Sequence, residues 1–162
     1  MNSRPRCIRG VDPQGQDALS LLREAVIEAR ALYPKLHAEG APWPGNTPTP
    51  AGGIYLVAYE AEMPVACGAL RPIDEATVEV RRMYVLKSVR CSGLARAILS
   101  ALESQAGRLG YKSMRLETGN RQQPAIALYE SYGFQRIPSF GEYASDPTSM
   151  CYEKHVVQRA DA

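Results

Sequence analysis

Arg90, Gly93, Ala95 and Arg96 fall within VRCSGLARAIL, residues 89–99. A glycine followed two positions later by a small residue lets a turn bring backbone N–H groups close to an anion, yet it suits an ordinary helix start equally well. The flanks decide between these readings. A β-prone run ends near Leu86 and a helical period begins near Gly93, so the run reads as strand, loop and helix N-terminus. The first-turn N–H groups of such a helix lack internal partners and its dipole favours negative charge, so the turn suits a phosphate with Arg90 and Arg96 as counter-charges. No lysine follows Gly93 as in a P-loop, the two further glycines of a dinucleotide fingerprint are missing, and no G-x-S-x-G serine elbow occurs.

The elements that must position this turn can be read from periodicity. Residues 7–11 form a short strand, and Asp12-Pro13 supplies a cap signal for a helix carrying Leu19, Leu22, Val26, Ala29 and Tyr33, which Pro34 closes. The stretch APWPGNTPTPAGG, residues 41–53, is too rich in Pro and Gly for helix or central strand, and loops of that length are often functional. Three β-prone runs, 54–59, 65–71 and 77–86, read as an antiparallel meander. The next helix sets Leu94, Ile98, Ala101, Leu102 and Leu109 on one face and Arg96, Ser100, Glu103 and Arg108 opposite, with Gly110 as its C-terminal cap. A strand over 111–118, a helix from Pro124 to Tyr132 ended by Gly133, and strands over 134–137 and 150–156 complete the chain, with 138–149 as a second irregular loop. This order predicts one α/β (α+β) domain over 1–162 on a mixed sheet.

Composition excludes several function classes. With 162 residues, 45% hydrophobic and 22% charged, the chain matches an average globular domain, and no segment has the unbroken apolar length of a membrane span. A net charge of +2, with Lys and Arg dispersed apart from the short cluster Arg81, Arg82, Lys87, Arg90 and Arg96, argues against nucleic acid and makes any anion site local, and no membrane partner is expected. The cysteines Cys7, Cys67, Cys91 and Cys151 form no C-x-x-C pair and His37 and His155 lie far apart, so no metal is expected. The N-terminal MNSRPRCIRGVD lacks an apolar h-region, which makes a reducing cytoplasm the expected setting.

Two ordered motifs then resemble a known family. VRRMYVLKSVRCSGLARAILSALESQAGRLGYKSMRLETGN followed by AIALYESYGFQRI is similar to the acetyl-CoA-binding core of the GNAT superfamily of N-acetyltransferases. Met83-Tyr84-Val85 and the run Arg90-Cys91-Ser92-Gly93-Leu94-Ala95 match its strand and [Q/R]-x-x-G-x-[G/A] loop. Ala125, Leu128, Tyr129, Gly133 and Phe134 match its A-x-x-L-Y-x-x-x-G-F pattern. The resemblance covers residues 54–156, with a weaker match in the N-terminal helix.

It implies a central mixed sheet, splayed between two parallel strands and flanked by helices, and acetyl-CoA as acyl-donor cosubstrate. The pyrophosphate would rest on the amides from Cys91 to Arg96, and the pantetheine arm along the backbone of Met83, Tyr84 and Val85. Asn120 is implied as a further contact, and an N–H of Val85 or Met83 as the group that polarises the carbonyl. Tyr129 stands at the position of the proton donor to the leaving thiolate; Cys91 is a backbone contributor.

The base is left open between Glu79, which alternates with Val78 and Val80, and Glu117, which alternates with Leu116 and Thr118, and either could instead pair with Arg81 or Arg115. Trp43, Phe140 and Tyr143 could line a substrate mouth or pack the loops down. Glu79, Glu117, Glu142 and Asp146, if they share a cleft, favour a cationic acceptor. The acceptor would be a small-molecule amine or a peptide or protein amine, and a homodimer is left open. Two rivals stand beside this acyltransferase: a non-catalytic acyl-CoA-binding or sensing module, and an unrelated protein holding another phosphate ligand on the same turn.

Overall fold

In the computed structural model, which describes residues 5–36 and 40–158, the chain runs β1 (Arg6–Gly10), α1 (Gln16–Leu32), β2 (Ile54–Glu60), β3 (Met63–Pro72), β4 (Thr77–Val85), α2 (Leu94–Arg108), β5 (Ser113–Gly119), α3 (Gln123–Tyr132), β6 (Gln135–Ile137) and β7 (Ser149–His155). The strands form one sheet in the order β1-β2-β3-β4-β5-β7-β6. β2, β3 and β4 make the antiparallel meander read from the sequence, and β1 extends it by pairing antiparallel with β2. β4 and β5 are parallel, and α2 is the crossover such a pair requires.

That parallel pair is short. Pairing covers Thr77↔Ser113, Val78↔Met114 and Glu79↔Arg115 and then stops, although β4 continues to Val85 and β5 to Gly119. The two strands part beyond Glu79 and leave a wedge between them, closed on the far side of β5 by its full pairing with β7.

Alternation distributes the apolar residues to two faces. Val78, Val80, Met114 and Leu116 pack with Ile98, Leu99 and Leu102 of α2, while Tyr55, Val57, Tyr59 and Cys67 pack with Ala18 and Leu21 of α1. Each such side chain contributes about 1.5–3 kcal/mol when fully buried. α2 sits directly on β3, because a Cβ on Gly68 would lie 2.6 Å from Ile98 Cγ2 and 2.8 Å from Met83 Sδ.

Several boundaries differ from the sequence expectation. Tyr111 belongs to the end of α2 rather than to β5. Its N–H reaches the Ala106 carbonyl (3.0 Å) and that of Gly110 the Gly107 carbonyl (3.1 Å), which satisfies two orphan carbonyls as in a Schellman cap. α1 starts after Gly15 with no side-chain cap, and Asp12 instead holds the N–H of Gln14 (2.9 Å) in the preceding turn. Glu103, expected on the solvent face of α2, is buried, whereas Leu109 is 46% exposed. Glu103 accepts from Lys154 Nζ (2.6 Å), Tyr132 Oη (2.8 Å) and the Val157 N–H (3.0 Å), a partner set assembled from α3 and the end of the chain. His37 lies outside the described residues; among those described, no three His, Cys, Asp or Glu side chains are grouped to hold a metal ion, and no helix is long and apolar enough to cross a membrane.

Candidate active site

Beyond Val85 the chain turns back through residues 87–93 into α2. Cys91 (φ 63°) and Gly93 (φ 82°) both adopt left-handed backbone, a conformation that helps turn nearby N–H groups into one concavity. Gly93 is the N-cap residue and no side chain caps the helix. The amides of Leu94, Ala95 and Arg96 therefore have no helical partner, since the Ala97 N–H is the first to reach back, to the Gly93 carbonyl (3.0 Å). No atom lies within 4 Å of a Cβ placed on Gly93, so glycine is needed there for its φ and the space over the turn is open. The Ser92 hydroxyl turns back to the Val89 carbonyl, leaving backbone as what this residue offers.

The two arginines of the motif are placed differently from each other. Arg90 grips Glu28 of α1 with one terminal nitrogen (2.8 and 2.6 Å) and the Val85 carbonyl with Nε (3.0 Å). Tyr84 donates to the same Glu28 (2.8 Å). Burial raises the Glu28 pKa, but the hydrogen bonds from Arg90 and Tyr84 outweigh it and hold the carboxyl below its ordinary value. The Arg90 charge is thus already paired, and its job here is to tie the loop to α1. Arg96 donates to the neutral Ser131 hydroxyl (2.7 Å) and lies 5.6 Å from the Tyr132 ring centroid, and no carboxylate pairs with it among the described residues.

The wedge supplies the next part. The Leu86 N–H bonds to Val65 of β3 (2.9 Å), and strand alternation then points the N–H groups of Val85 and Met83 the other way, into the gap toward β5. The Met83 side chain packs with the α2-side core and Tyr84 with the α1-side core, so the backbone is what β4 offers to the wedge. Asn120 follows β5 directly; its N–H bonds to Thr148 (2.8 Å), and its exposed side chain makes no hydrogen bond among the described residues.

Three titratable groups mark the wedge. Glu79, at the last paired position of β4, is 3% exposed and has both oxygens engaged, by Arg71 (3.0 Å) and by the Tyr143 hydroxyl (2.6 Å). Arg71, not Arg81 or Arg115, is its ion-pair partner, while Arg115 pairs with Glu153 (2.6 Å). Glu117, on β5 beyond the branch point, accepts only from Ser149 Oγ (2.6 Å) and has no ion-pair partner among the described residues. Burial pushes its pKa up; the Ser149 bond and the Arg81 charge oppose this, and the charges of Asp146 and Glu79 add to it. Tyr129 is 6% exposed on α3, edge-on to Phe134 with ring centroids 5.9 Å apart. Its hydroxyl makes no hydrogen bond among the described residues and yet is not sealed from solvent. Burial, followed by the Glu117 charge, raises its pKa well above the ordinary phenol range, so it remains a proton donor at neutral pH.

The loop aromatics divide. Trp43 lies between Arg23 and Arg30 of α1 (5.0 and 4.4 Å) and fastens the long loop to that helix, whereas Tyr143 reaches the site. Sequence reasoning missed Glu28 and Arg71, and for Arg82 it marked only membership of the basic cluster, not the left-handed backbone (φ 57°) or the bond to Asn46 Oδ1 (3.0 Å). For Arg82 a signal existed: in VEVRRMYV the second arginine breaks the alternation and marks a bulge. The other two depend on contacts made only in the folded chain.

The acetyltransferase (GNAT) family model matches residues 21–134 of this chain. Among curated relatives, an uncharacterized N-acetyltransferase YsnE of Bacillus subtilis is 35% identical over 99 residues, 60% of this chain and 66% of that protein. An IAA acetyltransferase of Azospirillum brasilense is 38% identical over 101 residues, 62% of this chain and 66% of that protein. The matches thus span just under two thirds of these relatives' own length. Among solved structures, a Klebsiella pneumoniae protein provisionally classed as an acyl-CoA N-acyltransferase superposes with a TM-score of 0.77 at 29% identity, covering 94% of this chain and 98% of the other. A GNAT family acetyltransferase from Elizabethkingia anophelis with acetyl-CoA bound shares the fold, with a TM-score of 0.65 at 17% identity over 93% of this chain and 97% of the other.

Proposed function

Because this chain belongs to the GNAT acetyltransferase family, we propose that it transfers an acetyl group from acetyl-CoA to a primary amine, by direct attack of the amine within a ternary complex. One observation carries this reading: an uncapped helix N-terminus stands at the open end of a wedge whose walls carry an unpaired carboxylate and a protonated phenol. The free amides of residues 94–96 and the Arg96 charge hold the pyrophosphate. The inward N–H groups of Val85 and Met83 align the donor and polarise its carbonyl. Glu117 takes the proton of the attacking amine, the C–N bond forms as the C–S bond breaks, and Tyr129 protonates the departing sulfur. Glu79, with both oxygens engaged, positions Tyr143 and Arg71 rather than accepting that proton. A cytoplasmic setting belongs to the same reading and agrees with four free thiols.

Incubation of the protein with acetyl-CoA and a panel of amines, with thiol release followed over time, tests the enzyme reading. CoA binding without release for any amine would favour the sensing module. Tyr129→Phe is expected to lower kcat about 10–100-fold with unchanged CoA affinity, because only a proton donor is removed. Its stability should stay within about 0.5 kcal/mol of wild type, since the lost hydroxyl held no partner. An unaltered kcat would remove Tyr129 from the mechanism. In Gly93→Ala the free turn is expected to leave the left-handed conformation, which alanine disfavours by about 1–2 kcal/mol, so CoA must restore it on binding and calorimetry should read a roughly 5–30-fold weaker affinity. Equal affinity would mean that the turn is not the phosphate cradle.

A further inference from the structure

Successive residues of a strand point to opposite faces, yet Arg81 and Arg82 line the same pocket. The cause is a left-handed Arg82 (φ 57°) in mid-strand, where the pairing register with β3 shifts between Cys67 and Ala69. Strained backbone of this kind persists only where surrounding structure holds it, and it concentrates at functional sites. The Arg82 guanidinium is held by Asn46 Oδ1 (3.0 Å) and the Gly45 carbonyl (3.4 Å) of the proline-rich loop, which forms the opposite wall as far as Pro50. Arg71 completes the basic lining, to which no acidic residue contributes among the described residues.

The charges in this pocket are unequally satisfied. Arg71 is paired with Glu79 (3.0 Å) and lies 3.7 Å from Glu142. Arg82 has only neutral acceptors, and burial, reinforced by the Arg81 charge, lowers its pKa. Arg81 is half-buried and makes no hydrogen bond or ion pair among the described residues. Three of the four acids that were to attract a cation are diverted: Glu79 and Glu142 turn to Arg71, and Asp146 closes its own turn on Thr148 (2.9 and 2.7 Å), which leaves Glu117 to face the amine. Two adjacent guanidiniums, one of them with no hydrogen bond or ion pair among the described residues, in a pocket beside the wedge call for an oxyanion, which a planar fork binds through paired N–H groups.

We propose that the acceptor amine also carries an oxyanion, a carboxylate or a phosphate, and that Arg81 and Arg82 bind it while the amine faces Glu117. This inference rests on the acetyltransferase reading above and replaces a cationic acceptor with an anionic or zwitterionic one. The test compares glycine, β-alanine, L-serine and O-phosphoethanolamine with glycinamide, β-alaninamide, L-serinamide and ethanolamine as acceptors for the full chain with acetyl-CoA. At least one oxyanion-bearing amine is expected to exceed its counterpart about tenfold in kcat/KM, and the carboxylate and phosphate arms separate the two sources. Arg81→Gln should collapse that preference with CoA affinity unchanged, whereas Arg108→Gln, the same charge change on the exposed end of α2, should preserve it.

Equal or better use of the counterparts, or a preference that survives Arg81→Gln, overturns the inference while leaving the acetyltransferase intact. If CoA binds but no amine is consumed, the enzyme reading fails instead, and calorimetry of the same amines on the CoA complex decides the pocket. Heat from the oxyanion-bearing amines that disappears in Arg81→Gln supports the inference; no heat, or equal heat from their counterparts, overturns it.

Discussion

Glu117→Gln is expected to lower kcat by about 10²–10⁴-fold, the usual contribution of a positioned general base, while CoA affinity stays at the wild-type value. Glu117 must be ionised to accept a proton, so wild-type activity falls as pH drops through its raised pKa, and this acidic limb should vanish from the residual activity of the variant. The stability sign runs the other way. A carboxyl whose folded pKa is raised contributes stability below its unfolded pKa that is lost as pH rises through the folded value, so at neutral pH the ionised Glu117 disfavours the fold. Glutamine keeps the shape without the charge. The variant should therefore melt at or above the wild-type temperature, which separates lost chemistry from misfolding. If Glu79→Gln abolishes the acidic limb and Glu117→Gln retains it, the base is Glu79.

Glu103→Ala should destabilise the protein by about 3–5 kcal/mol, because Lys154 is left as an uncompensated charge in a nearly closed site. Tyr132 and the Val157 N–H lose the same acceptor. In a chain of this size the loss corresponds to a melting temperature roughly 10 °C lower, measurable by calorimetry. Burial pushes the Glu103 pKa up, but the bonds from Lys154, Val157 and Tyr132 bring it below its ordinary 4.5. Its stabilising contribution is therefore present above that ordinary value and is lost as pH falls through the lower folded one. The gap between wild type and variant should narrow in acid. A gap independent of pH would show that packing, not the charge network, is what Glu103 supplies. Glu103→Leu combined with Lys154→Met should recover part of the loss, as both charges then leave the site together.

Much of this fold is legible because its signals are local. Gly93 and Gly110 mark the two ends of α2 through backbone conformations that glycine tolerates at least cost, Pro124 opens α3, and the period change near Gly93 separates strand from helix. The proposed cofactor side of the site rests on equally local signals: a helix N-terminus offers its own amides to an anion, so a strand, a turn and a helix in series suffice to propose it. Arg90 shows where this stops. Its type and spacing suit a counter-charge, but Glu28, sixty-two positions earlier, takes it. Glu103 is a second case, polar by pattern and buried because Lys154 meets it across the fold.

The order of elements, the glycine turn and the place of Tyr129 on α3 follow from the chain alone, since each rests on residues within one or two turns of one another. Folding in three dimensions sets where β4 and β5 part after Glu79, engages Glu79 while Glu117 keeps a raised pKa, and brings a left-handed Arg82 beside Arg81 in one pocket. These outcomes depend on desolvation and on charges brought together from β3, β4, β5 and the two long loops. Which partner wins a carboxylate or a guanidinium is settled by distance and burial in the folded chain, and neither is a property of spacing along it.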